Sequence, residues 1–74
     1  MEVKIGVQNT PREIVIESSQ SPEEVAEAVD ASLAGGTVLK LHDDRGRLVV
    51  VPVAAIAYVE IGVEERGRVG FGAL

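Results

Sequence analysis

A chain of 74 residues makes one domain and leaves no room for a second core. It has no cysteine, so disulfides and thiolate zinc sites are excluded, and its one histidine, His42, leaves little for a structural metal. Twelve acids against seven bases give a net charge of −5, which opposes phosphate backbones and anionic membranes at long range.

Val3, Ile5 and Val7 alternate with Glu2, Lys4, Gly6 and Gln8, the period of a half-buried strand. Asn9-Thr10-Pro11-Arg12 supplies turn chemistry, since Asn tolerates unusual backbone angles and Pro fixes its own φ. Glu13–Glu17 resumes as a strand, so residues 2–17 read as a β-hairpin. Ser21-Pro22-Glu23-Glu24 then opens a helix. Ser21 and Glu24 have the spacing of a capping box, and Pro22 sits where its missing N–H costs nothing. Val25, Val29 and Leu33 recur at four-residue spacing, with Ala26 and Ala28 widening the apolar stripe. Gly35-Gly36 ends the helix, and one of the two is expected in the left-handed conformation.

Thr37–His42 reads as a third strand, with Leu39 and Leu41 on one face and Val38, Lys40 and His42 on the other. Asp43-Asp44-Arg45-Gly46 predicts a type I turn followed by a glycine bulge. Leu48-Val49-Val50-Val51 is a β-branched strand that Pro52 ends or places at a sheet edge. Val53–Ile56 is a short crossover with room for one helical turn, and Ala57–Ile61 is the last strand. The apolar run from Leu48 to Val59 is too short to span a bilayer. Met1-Glu-Val-Lys lacks the basic-then-apolar layout of a signal peptide, so the chain reads as cytoplasmic. The order ββαβββ predicts an α+β fold, one helix packed on a mainly antiparallel sheet. It forms a single domain over 1–74, with 68–74 as a C-terminal tail.

One helix covers one sheet face. The inward set is Val3, Ile5, Val7, Ile14, Ile16, Leu39, Leu41, one parity of 48–51, Val59 and Ile61. Lys4, Glu13, Glu17, Lys40 and Glu60 fall on the opposite face, but so do Val15, Val38, Tyr58 and either Val49 with Val51 or Leu48 with Val50. Burying each apolar side chain there contributes roughly 1.5–3 kcal/mol. One contiguous exposed patch of them exceeds what a soluble monomer usually shows. Val15, Val38, Val49, Val51 and Tyr58, with Phe71 of the tail, are taken as a self-association face. The alternatives are that the tail folds over this surface or that an unknown protein partner covers it.

The remaining clusters have plain readings. His42-Asp43-Asp44 is the one group of metal-ligand types, but adjacent strand residues point apart, and a type I turn favours Asp. Ser18, Ser19 and Ser21 precede a helix, where capping explains them. Glu23, Glu27 and Asp30 make a solvated acidic ridge. Gly35-Gly36-Thr37 and Gly70-Phe71-Gly72 do not match a phosphate loop. Arg45, Arg47, Arg66 and Arg68 make a basic patch only if their two loops meet, and no aromatic platform supports single-stranded nucleic acid.

The opening Met1-Glu-Val-Lys-Ile-Gly-Val-Gln-Asn with Pro11-Arg12 is distinctive. So are Val51-Pro52 followed by Ala57-Tyr58-Val59-Glu60-Ile61-Gly62, and the ending Arg68-Val69-Gly70-Phe71-Gly72-Ala73-Leu74. Along its whole length the chain resembles a small actinobacterial family of proteins of unknown function, some of whose members carry a label as ATP-binding proteins. The resemblance implies a free-standing cytoplasmic protein and brings no catalytic residues with it.

The expected function is a non-enzymatic, self-associating binding or adaptor protein, a homo-oligomer with no cofactor and no membrane or nucleic-acid partner. The alternative is a small-ligand or nucleotide-binding module using the glycines with Arg66 or Arg68.

Overall fold

The computed structural model describes residues 1–62. Strands β1 (Glu2–Val7) and β2 (Glu13–Glu17) form a hairpin, followed by helix α1 (Pro22–Gly35) and a second hairpin, β3 (Val38–His42) with β4 (Leu48–Pro52). A 3-10 turn over Val53–Ala55 leads into β5 (Ile56–Ile61). This is the predicted α+β order. The strands divide between two antiparallel sheets, β2-β1-β5 and β3-β4.

Local chemistry accounts for each boundary. The first hairpin turns at Asn9, which adopts φ 63°, and the Thr10 hydroxyl accepts from the Arg12 amide at 3.2 Å. At the start of α1 the Glu24 amide donates to Ser21 Oγ at 3.1 Å, while Glu24 Oε1 accepts from the Ser21 amide at 3.0 Å. This is the capping box the spacing predicts. The helix ends differently from the expectation, because neither Gly35 nor Gly36 is left-handed. Gly36 is extended at φ −89°, and its amide closes the last turn on the Ser32 carbonyl at 2.9 Å. A Cβ there would meet Ser32 Cα and O at 3.3 Å. A side chain at 36 would need the Ser32 backbone to give by a few tenths of an ångström.

A single core joins the two sheets to the helix. Val3, Ile5 and Ile16 come from β2-β1-β5, Leu39, Leu41 and Val51 from β3-β4, and Val25 and Val29 from α1. Leu33 corrects the expected stripe, being 54% exposed. At 3.6 residues per turn, each four-residue step rotates about 40°, which carries Leu33 roughly 80° away from Val25.

The sheets also meet at one corner, where the Asp44 amide donates to the Glu17 carbonyl at 2.8 Å. The β3–β4 turn that presents Asp44 is built as predicted. Gly46 has φ 86°, and its amide donates to the Asp43 carbonyl at 3.1 Å. No helix among the described residues is long and apolar enough to cross a membrane.

Candidate interaction surface

Register decides which side chains share a face. In β2-β1-β5, Glu17 lies opposite Glu2, Val15 opposite Lys4 and Glu13 opposite Gly6, while Glu60 and Tyr58 flank Lys4 and Gly6 from the other side. The outer face therefore carries four carboxylates and one ammonium around Val15 and Tyr58. Tyr58 is already engaged. Its ring lies across Gly6, where any Cβ would overlap it, and its hydroxyl donates to Glu13 on the far strand. That bond, followed by burial and then by the Glu13 and Glu60 charges, raises the phenol above its ordinary value of 10.0.

The β3–β4 hairpin is different. Leu39 pairs with Val51 and Leu41 with Val49 on the inner face; Val38 pairs with Pro52, Lys40 with Val50 and His42 with Leu48 on the outer. The self-association face expected from sequence is corrected here. Val51 is 4% exposed and Val49 packs against the core. Both point inward because cross-strand partners share a face, and Leu39 and Leu41 are core residues. Leu48 and Val50 take their place outside, 48% and 49% exposed, opposite His42 and Lys40, with half-buried Val38 at the other end of the same face. Val15 and Tyr58 stay exposed but belong to the other sheet, among its carboxylates. Phe71 lies outside the described residues.

Leu48 with Val50 was the other parity that the sequence left open for this face, and the turn could have chosen it. A loop with Asp43 opposite Arg47 fixes Leu41 opposite Val49 and Leu39 opposite Val51 by counting. The inward parity of 48–51 then follows from that of β3.

The polar clusters have structural work. Asp43 is buried and accepts from the Arg47 amide at 2.7 Å, the Arg45 amide at 3.0 Å and Arg47 Nε at 2.8 Å. Burial alone would raise its pKa, but the Arg47 and Arg45 amides and the Arg47 guanidinium together hold it below the ordinary carboxylate value. His42 is exposed on the outer face, turned away from Asp43. No three His, Asp or Glu side chains among the described residues gather to hold a metal. Ser18 Oγ accepts from the Gln20 amide at 3.1 Å, and Ser21 caps the helix. A cleft of about 430 Å³ lies at the corner between the sheets, lined by Glu2, Glu17, Asp43 and Asp44 against Arg45 and Arg47, with Val15. Four carboxylates facing two guanidiniums, one of them bound to Asp43, disfavour a polyphosphate there.

A family model described as "Protein of unknown function (DUF3107)" matches residues 1–72. The chain belongs to that family. The match spans nearly the whole chain, the extent over which the opening, middle and closing segments show their resemblance. No curated protein matches the chain.

Proposed function

We propose that this protein is a non-enzymatic, self-associating binding or adaptor protein whose contact surface is the outer face of the β3–β4 hairpin. One observation carries the reading. Leu48 and Val50 stand half-exposed two residues apart on β4, opposite His42 and Lys40, with Val38 and Pro52 further along the same face beyond Val50. Full burial of such a side chain contributes roughly 1.5–3 kcal/mol, and with half of each surface already covered about half of that remains to be gained at Leu48 and at Val50. The absence of cysteine fits a reducing compartment, and a cytoplasmic location belongs to the same proposal.

Light scattering at high micromolar concentration tests it. The native chain should give a mass above the 7.8 kDa of one copy, and Val50→Lys should return it to a single copy with the fold intact by circular dichroism. A single-copy mass for the native chain at that concentration overturns the proposal.

A further inference from the structure

The sheet edges differ in how they are protected. β2 and β5 bound one sheet, β3 and β4 the other. Edge strands commonly carry charges that discourage pairing with another chain. β2 has Glu13 and Glu17, β3 has Lys40 and β5 has Glu60, whereas β4, Leu-Val-Val-Val-Pro, has no charged residue.

The hydrogen-bond phase of the hairpin shows which groups that edge offers. The Asp43 amide donates to the Arg47 carbonyl at 2.8 Å, and the Val53 amide donates to the Thr37 carbonyl at 2.9 Å. Bonded and non-bonded pairs alternate in an antiparallel ladder. Leu41 with Val49 and Leu39 with Val51 are therefore the bonded pairs. Leu48, Val50 and Pro52 turn their main-chain groups away from β3. No described strand pairs with them. Pro52 has no N–H to leave bare, so the open donors are those of Leu48 and Val50, the residues whose side chains are also exposed.

We propose that a second copy of this chain adds along β4, antiparallel to it, with Leu48 opposite the partner subunit's Val50 and Val50 opposite the partner subunit's Leu48. This rests on the self-association reading above and adds the β4 edge to its contact face. The outer faces of the two copies' hairpins run on into one another, with Leu48 and Val50 beside the partner subunit's Val50 and the partner subunit's Leu48. The register satisfies every outward N–H and C=O of Leu48 and Val50 and stops where Pro52 lacks a donor. It is isologous, so the contact closes on a dimer. The edge is self-complementary, since the two open residues of one copy meet the two open residues of the other, and it carries no carboxylate to repel a second chain of the same net charge. A chain of net charge −5 meets another like itself at lowest cost along a stretch without carboxylates. The outer face of β2-β1-β5, with Glu2, Glu13, Glu17 and Glu60, would set like charges against each other.

Amide hydrogen exchange on the native chain at low and high concentration, run beside light scattering, tests the arrangement without needing a variant to fold. The Leu48 and Val50 amides should exchange about tenfold or more slowly as mass rises, while those of Val49 and Val51 stay protected throughout. A mass above one copy with unchanged exchange at Leu48 and Val50 overturns edge pairing and leaves self-association standing. A single-copy mass overturns both. Protection of Leu48 and Val50 at every concentration in a single copy also overturns the pairing, because the edge would then be covered without a second copy.

Discussion

The two sheets face the core alike and the solvent differently. Each gives its inner side to a shared cluster: Val3, Ile5 and Ile16 from one, Leu39, Leu41 and Val51 from the other. Outside, β2-β1-β5 is dressed with Glu2, Glu13, Glu17, Glu60 and Lys4, and its one large aromatic lies across Gly6 and is tied to Glu13. The hairpin leaves Leu48 and Val50 bare and its β4 edge without charge. Both sheets have an apolar inner face. The first sets five charged side chains on its outer face, the second only Lys40 beside His42. An outer face without a carboxylate in a chain this acidic marks where contact with another acidic molecule costs least.

The largest expected effect separates the two sides of the hairpin. Leu39 is 1% exposed, and Leu39→Ala should cost about 2–5 kcal/mol, much of the stability of a domain this size. Val50→Ala, one register position away on the other face, should stay within about 0.5 kcal/mol in urea denaturation at low protein concentration. A loss at Val50 as large as that at Leu39 would mean that its side chain is covered within a single copy.

A smaller effect belongs to the one carboxylate that the hairpin buries, Asp43. Its pKa is lowered in the fold, so its contribution is complete above the ordinary carboxyl value of about 4 and is lost as pH falls through the lowered folded value. Asp43→Asn should melt several degrees below the native chain at neutral pH. The gap should narrow as both are taken into acid. A gap that stays constant with pH would assign the loss to turn geometry and not to charge.

Much of this was legible in the sequence because short-range chemistry fixes it. Ser21, Pro22 and Glu24 set the helix start, Gly46 sets the bulge, and the alternation at Val3 and Ile5 sets the inward face of β1. What failed depends on geometry beyond the local pattern. Four valine-rich residues in a row, 48–51, carry no alternation of their own, so their parity had to come from the partner strand. Leu33 has the right spacing for the helix stripe but rotates off the face that Val25 and Val29 bury. The division of the strands into two sheets is set by how the hairpins pack. It also separates Val15 and Tyr58 from Val38, Leu48 and Val50, which sequence alone merges into one patch.

The smallest expected effect probes how the dressed face keeps its aromatic. Tyr58 is the one tyrosine and the chain has no tryptophan, so ultraviolet titration reads this phenol alone. Deprotonating it removes the hydrogen bond to Glu13 and sets two anions together, which places the folded midpoint above 10.0. A raised folded pKa stabilises below the unfolded value near 10, and that contribution is lost as pH rises through the folded midpoint. Glu13→Gln should bring the midpoint down toward 10 by removing the carboxylate. Gly6→Ala should do the same by a different route, because its Cβ occupies the space of the ring and turns Tyr58 away from Glu13. The ring sits at the far end of a half-exposed side chain and can swing aside, so Gly6→Ala should shift the titration more than the melting temperature. A native midpoint at 10, unmoved by either substitution, would show that the ring does not bridge β1 in solution. Tyr58 would then add to the exposed apolar surface, and the two outer faces would differ less than their carboxylates suggest.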